Sequence, residues 1–555
     1  MASNHEYIAE LVSNQSWDEC YSEIKKGLKQ NYRDYELYFA LGEYYLSKNI
    51  NQAYLCYENA LFYCDNETDR EYIEGVLLDI KEKGVNVKPY SIVIVSYNCI
   101  DIMQSCIKSI RDNNDVNANE LIVVDNNSSD GICEWLEKQN DIILIKNKDN
   151  KGFGAASNQG IKAAAPDNDI FLLNNDTIVV PNSIFWLRMG LYENDRVGAV
   201  SCESNFAAGQ MIDKEYNSLE EYLEYGVQNN IPDINPYEKK AWLSGFAIMF
   251  KRMALDNVGL LDLRYGMGYY EDNDICIRLQ YAGYQCILCH NSFIFHWGSQ
   301  SFKKDIDKQN TLLDINREKF IDKWGFDLNY YSNSRNDILN FIEDDRSKNI
   351  KVLEVGCGCG ATLSKIKYLW PNAEVAGIEL MDNVARIGAN NYDIIQGNIE
   401  TMQLNYQKEY FDYVIFGDVL EHLFNPEETL KKVRTYMKKD GYLIASIPNI
   451  MNISVMLLLL RGDFRYMEAG ILDKTHVKFF TIKSAVEMIN KCGFKCESYA
   501  GILNEMVGIN IPDNEKNEFY NALSCITGAA DKKQFDSYQY IIRAGVDNSQ
   551  DEFNI

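Results

Sequence analysis

The spacing of apolar and polar positions changes character along this chain. Up to about residue 87, apolar and aromatic residues recur at helical intervals, as in Tyr38, Leu41, Gly42 and Tyr45 and again in Ala53, Tyr57 and Ala60, with almost no strand pattern. From Ser91 onward, short β-branched runs take over, each closing on polar residues. Residues 91–95 run into Ser96-Tyr97-Asn98, 121–124 into Asp125-Asn126-Asn127, 142–145 into Asn147, and 171–173 into Asn174-Asn175-Asp176-Thr177. Helical stretches separate these runs, which predicts βαβ units and a largely parallel sheet whose ligands gather at the carboxyl ends of its strands. A polar, charged stretch over 326–348 reads as a helical linker. A second strand series follows at 351–355, 375–378, 394–396, 411–415 and 442–447, and a late apolar strand at 538–546 completes its sheet, which makes the residues before it an insertion. The expected architecture is multidomain α/β: a helical segment at 1–87, a nucleotide-binding domain at 88–325, a linker at 326–348 and a second domain at 349–555.

Length and composition narrow this picture. At 555 residues the chain has room for about three or four domains, and 46% hydrophobic with 25% charged residues is ordinary for globular proteins. The formal net charge of −26 argues against a nucleic-acid partner, which would need massed Lys and Arg. A diphosphate bound here must find its counter-charge in a metal ion, main-chain amides or a few placed cations. Fifteen cysteines without repeated spacing fit free thiols, and Cys286-x-x-Cys289 reads as part of a core strand. No apolar run approaches the roughly 18 residues of a membrane helix, and Met1 to Glu6 lacks a secretory pattern, so a cytoplasmic protein without a transmembrane segment is expected.

The helical segment is similar to tetratricopeptide repeats, with small residues where paired helices touch; it reads either as a module docking a protein partner or as a cap on the next domain. The next domain lacks a dinucleotide fingerprint after its first strand, which argues against NAD. It has instead a glycine cluster, Gly152, Gly154 and Gly160, opening a small-residue helix. Asn175-Asp176-Thr177 alone reads as a turn, and the acidic start of the helix at Glu271-Asp272-Asn273-Asp274 reads as capping chemistry. In order, however, these motifs resemble the family 2 glycosyltransferases of GT-A fold, in particular their rhamnosyltransferase-like branch, over about 88–304. By that resemblance Tyr97 and Asp125 hold the base and ribose of a nucleotide sugar, and Asn150, Gly152, Asn158 and Asn175 shape the donor pocket. Asn174-Asn175-Asp176 stands at the family's Asp-x-Asp position, leaving Asp176 as its only acid; with His296 of His296-Trp297-Gly298-Ser299 it would hold Mg²⁺ or Mn²⁺. The resemblance further makes Trp242-Leu243-Ser244-Gly245 an acceptor-side loop, Asp272 the general base and Glu271 the group that orients the acceptor.

In the second series, strand 351–355 enters Gly356-Cys357-Gly358-Cys359-Gly360, and an acid, Glu379, follows the next strand. With Gly397-Asn398 and Asp418-Val419-Leu420-Glu421-His422, these residues resemble class I S-adenosylmethionine-dependent methyltransferases, a Rossmann-like fold, over about 349–547. The resemblance implies Glu354, Gly356 and Gly358 at the methionine end, Glu379 on the ribose, Asn398 near the adenine and Asp418 among the cofactor contacts. His422 and His476 are the candidate bases for methyl transfer to oxygen, and each also reads as a buried structural histidine.

The function expected from both resemblances is bifunctional. A sugar, such as rhamnose, passes from a dTDP- or UDP-linked donor to a glycan or glycoprotein acceptor with inversion, and a sugar hydroxyl is O-methylated, in surface polysaccharide or flagellin-type glycan synthesis. The competing expectation is an interaction protein whose helical repeats dock a partner and in which only one catalytic domain works.

Overall fold

The computed structural model describes residues 5–114, 119–298, 306–503, 511–527 and 533–549. Ser299, quoted in the histidine motif, lies outside them. The chain forms two compact units, Met1–Asp327 and Leu328–Ile555. No helix among the described residues is long and apolar enough to cross a membrane.

The first unit opens with five helices, His5–Ser13, Trp17–Gln30, Tyr35–Leu46, Ile50–Tyr63 and Glu67–Lys81. Gly42 lets two of them touch, because a Cβ there would stand 2.5 Å from the Tyr57 ring. These helices are not a separate body. Gln52 Nε2 donates to Met189 O at 2.9 Å, Asn49 Nδ2 to Tyr192 O at 2.9 Å, and Tyr38 meets Phe185 edge-on, so the helix Ser183–Leu191 carries the segment, and one apolar core runs from Ile8 to Ile294.

Among the described residues nine strands follow in this unit: β1 (Tyr90–Ser96), β2 (Glu120–Asp125), β3 (Ile142–Lys146), β4 (Asp169–Asn174), β5 (Thr177–Val179), β6 (Val197–Glu203), β7 (Tyr237–Lys240), β8 (Ala247–Phe250) and β9 (Gln285–His296). They make one sheet ordered β3-β2-β1-β4-β8-β6-β9-β5, with β7 also on β9. β1 to β4 are parallel, and the register sets Ser96 beside Asp125 and Val95 beside Asn174, so three strand ends finish in line. β8 runs antiparallel to β4 and β6, and β5 pairs antiparallel with β9, with Thr177 opposite His296. Cys286 and Cys289 are fully buried on β9, as a core strand requires.

Among its described residues the second unit has seven strands: β10 (Lys351–Val355), β11 (Glu374–Glu379), β12 (Asp393–Gln396), β13 (Phe411–Gly417), β14 (Met437–Pro448), β15 (Phe494–Leu503) and β16 (Ser537–Val546), ordered β12-β11-β10-β13-β14-β16-β15. β10 to β14 are parallel; β16 runs antiparallel between β14 and β15. Two sequence expectations change here. Residues 494–503, placed in an insertion, form the sheet's last strand; as a largely exposed edge it needs no apolar run, which is why the sequence hid it. The stretch read as a linker packs instead: Ile338, Leu339 and Ile342 are buried in the second unit's core, and Trp370 Nε1 donates to Asp344 O at 3.0 Å.

Candidate functional site

In the first unit the turn Asn175-Asp176 joins β4 to β5, so the turn reading of these residues is also realised. It sits at the carboxyl edge shared with Asp125. Pairing of β5 with β9 brings Asp176 Oδ1 to 3.1 Å from His296 Nε2. The other ring nitrogen, Nδ1, lies 2.6 Å from Phe206 O. A carbonyl only accepts, so Nδ1 carries a proton; Nε2 then either donates to the Asp176 carboxylate from a doubly protonated ring or turns a lone pair toward it from a singly protonated one. Two acceptors facing one another call for a proton or a cation between them, and a carboxylate oxygen with an imidazole nitrogen suits a divalent metal. Asn205 clamps the His296 backbone, accepting from its N–H at 2.8 Å and donating to its carbonyl at 3.0 Å, while Phe246 stacks on the ring at 5.1 Å.

Asp272 is coupled to the same edge through two residues. Its Oδ2 accepts from Gly245 N at 2.7 Å, and the next residue, Phe246, accepts from Asn174 N at 2.7 Å. Oδ1 accepts from Asn273 N at 2.8 Å. Glu271 beside it is buried, with Oε2 unpartnered. Burial raises the affinity of both carboxylates for protons, and for Glu271 the charge of Asp272 adds to this. The loop before them holds Tyr269 and Tyr270 at positive φ and is tied down by Asn316, whose Nδ2 donates to Tyr265 O and Gly268 O at 2.8 and 2.7 Å.

The remaining expected donor residues divide. Tyr97 follows β1 and is 38% exposed, open to a ligand. Asp125 is buried, with Oδ2 accepting from Ser128 N at 3.2 Å and Oδ1 unpartnered, and the buried Asn175 has its Nδ2 unpartnered. Asn150 Oδ1 accepts from Asn126 Nδ2 and Gly152 N, so it shapes the loop. Gly152, at φ 84°, lets that loop meet another: a Cβ would fall 2.2 Å from Gly266 O. Asn158 is spent on the fold, with its carboxamide exchanging hydrogen bonds with Leu261 N and O at 3.0 and 2.8 Å. Asn205, Phe206, Phe246 and Asn316 were not singled out from the sequence, since each acts through main-chain contacts distant in the chain.

In the second unit Glu354 ends near the glycine turn, buried, with Oε2 unpartnered and its pKa pushed up to about 8 by burial. A carboxyl oxygen without a partner at this turn suits the ammonium of a bound amino acid, whose charge favours the ionised form. Gly356 N donates to Ile378 O at 2.8 Å, and Gly358, at φ 55°, has room for no side chain because Tyr331 O would lie 2.4 Å from a Cβ. Glu379 accepts from Gly358 N and Met381 N, both at 2.9 Å, which fixes its carboxylate and leaves lone pairs for ribose hydroxyls. Asn398 is exposed, its Oδ1 accepting from Glu400 N at 2.8 Å. Asp418 is half-buried and held by Arg335 and Ser446, with Ser446 Oγ also accepting from Asp418 N at 2.9 Å. Arg335 was absent from the sequence reading because it lies in the supposed linker.

Past β13, Glu421, His422 and His476 converge. The imidazoles are 4.7 Å apart, His476 Nε2 is 3.9 Å from Glu421 Oε1, and His476 Nδ1 lies 2.9 Å from Ile471 O. Burial holds His476 below the usual imidazole range and drives Glu421 well above the carboxylate range.

Two family models match stretches of this chain. The family model for glycosyl transferase family 2 matches residues 91–259, and that for a methyltransferase domain matches 326–499. The chain is 28% identical over 174 residues to the poly-beta-1,6-N-acetyl-D-glucosamine synthase of Staphylococcus aureus (strain COL), covering 30% of this chain and 40% of the synthase. It is 26% identical over 175 residues to the ubiquinone biosynthesis O-methyltransferase of Rickettsia canadensis, covering 29% of this chain and 70% of the relative. Among solved structures, a SAM-dependent methyltransferase from Archaeoglobus fulgidus aligns at 18% identity and TM-score 0.29, over 41% of this chain and 97% of its own. GalNAc-T7 with UDP, GalNAc and Mn²⁺ aligns at 14% and 0.31, over 38% and 43%. The chain thus joins a family 2 glycosyltransferase domain to an S-adenosylmethionine-dependent methyltransferase domain.

Proposed function

We propose that the first unit transfers a sugar from a nucleoside-diphosphate donor to a hydroxyl acceptor with inversion, and that the second methylates a sugar hydroxyl on the same glycan. The observation that carries the reading is the pair Asp176 and His296, whose facing acceptor atoms suit Mg²⁺ or Mn²⁺ at the sheet edge. The ion supplies positive charge against the diphosphate as it departs. Tyr97 and Asp125 take the nucleoside. Asp272, steadied by two main-chain N–H groups and raised in basicity by burial, takes the acceptor hydroxyl's proton. Glu271, held protonated beside it, donates a hydrogen bond that orients the acceptor.

In the second unit Glu354 would hold the amino group of S-adenosylmethionine and Glu379 its ribose hydroxyls, and the cofactor would supply the methyl group. The acceptor hydroxyl sits beside Glu421, His422 and His476. For the donor, a deoxysugar such as rhamnose on dTDP is the reading taken from motif resemblance, with UDP-hexoses as the rival. The acceptor is placed in surface polysaccharide or a flagellin-type protein glycan. The free cysteines suit a reducing, cytoplasmic setting.

The test is a panel of dTDP- and UDP-sugars with Mn²⁺, read by nucleotide release, together with calorimetry of S-adenosylmethionine binding to the intact chain. Turnover of one donor and saturable cofactor binding are expected. No turnover across the panel overturns the glycosyltransferase role, and no cofactor binding overturns the methyltransferase role and favours a scaffold.

A further inference from the structure

Glu421 is the second unit's most anomalous carboxylate. It is 1% exposed, and neither side-chain oxygen has a hydrogen-bond partner. A buried carboxylate left in this state is costly unless a ligand satisfies it. The neighbouring cation does not: the Arg335 guanidinium is committed to Asp337 and Asp418. Two imidazoles stand in its place. His476 Nδ1 donates to Ile471 O, which leaves Nε2 as a lone-pair donor on the side of Glu421. His422 lies against the same ring, and one ligand atom from each of the three residues falls within 4.8 Å of the others.

We propose that Glu421, His422 and His476 form a divalent-cation site. The backbone holds it together, since Glu421 O accepts from both Val477 N and Lys478 N at 3.0 Å and thereby pins the loop carrying His476 to the 3-10 turn Leu420–His422 that carries Glu421 and His422. Metal bonds of about 2.1 Å set ligand atoms about 3–3.4 Å apart in cis or tetrahedral positions and about 4.2 Å apart in trans, so the His476–Glu421 pair at 3.9 Å and the wider separations of up to 4.8 Å close by about 0.5–1.5 Å, which side-chain rotation supplies. Two nitrogens and one carboxylate favour a transition-series ion such as Mn²⁺ or Zn²⁺ over Ca²⁺ and leave coordination positions open.

What the open positions hold rests on the methyltransferase reading: the hydroxyl of the methyl acceptor. Coordination weakens its O–H bond, and its proton passes to water. The oxygen then bonds to the methyl carbon while the carbon–sulfur bond breaks, its electron pair staying on sulfur, so that sulfonium becomes thioether and the products are a methyl ether, the thioether and one proton. In this role the two histidines are ligands rather than bases.

The experiment is an Mn²⁺ titration of the full chain, reading free Mn²⁺ by electron paramagnetic resonance; Mn²⁺ is chosen because the thiols compete poorly for it. Wild type, Glu421→Gln, His476→Ala and Asp176→Asn are compared, with near-ultraviolet circular dichroism as the fold control. Glu421→Gln and His476→Ala should each bind one equivalent fewer than wild type, and Asp176→Asn should retain this equivalent. A folded Glu421→Gln that binds as many ions as wild type overturns the site, and this near-isosteric variant decides if His476→Ala fails to fold. Calorimetry with S-adenosylmethionine separates the two readings. Cofactor binding with an unchanged ion count overturns the cation site alone, while an ion count that falls without any cofactor binding upholds the cation site and overturns its part in methyl transfer.

Discussion

Asp176 with His296 and Glu421 with His476 are the same chemical pair, a carboxylate beside an imidazole whose far nitrogen is fixed by a carbonyl. In the first unit the pair stands at 3.1 Å, and in the second at 3.9 Å. The difference follows from what carries the histidine. His296 ends a β-strand in register with Thr177 and is clamped by Asn205 on both backbone groups, so the sheet sets the separation. His476 comes from a loop pinned through the backbone of Glu421, so its side chain keeps freedom to close. A ligand pair set by a sheet is preorganised, whereas one set by a loop completes itself on binding.

This contrast predicts where each unit fails. In the first, chemistry should fail before assembly: Asp272→Asn should lower the turnover of sugar transfer by about 10²–10⁴-fold with the donor KM and melting temperature little changed. Equal turnover in the variant would remove Asp272 from the role of base. Asn158 tests the opposite case, a residue that holds the same unit together without touching the donor. Asn158→Ala leaves the N–H and carbonyl of Leu261 unpaired and should cost about 1–3 kcal/mol in unfolding free energy with donor KM unchanged. A raised KM at unchanged stability would return it to the donor pocket.

The smallest effect concerns the second unit without cofactor. Glu354 is raised from an ordinary 4.5 to about 8, so the folded state binds its proton more tightly than the unfolded state. Its stabilising contribution is complete below the ordinary value and is lost as pH rises toward about 8. Melting temperature should therefore fall over that window, and Glu354→Gln should flatten the fall. An unchanged pH profile in the variant would mean that Glu354 is not the group responsible.

The parallel strands of both sheets were legible because buried parallel strands are continuous apolar runs closed by polar residues, as in 171–176. Residues 494–503 were not, since an exposed edge carries no such run. Arg335 and Ile338 were lost in a stretch whose polar composition hid a few deeply packed residues. At the sites, sequence order grouped Asp125, Asp176, Asp272 and His296. It could not show that Asn158 serves the backbone or that Phe246 links Asn174 to His296, because those roles depend on main-chain partners that every residue offers and on a ring contact between residues distant in the chain. Glu421 stands in a sequence motif that gives it no distinct role, and only its missing partners single it out.

The central claim, a metal-dependent sugar transfer at the edge of the first sheet, is tested most directly by nucleotide release from the preferred donor after chelation and readdition of Mn²⁺, in wild type and Asp176→Asn. Chelation should abolish wild-type release and Mn²⁺ should restore it, while Asp176→Asn should stay inactive at the same Mn²⁺ concentration. Wild-type release that survives chelation, or an Asp176→Asn protein restored as fully as wild type, would contradict the account.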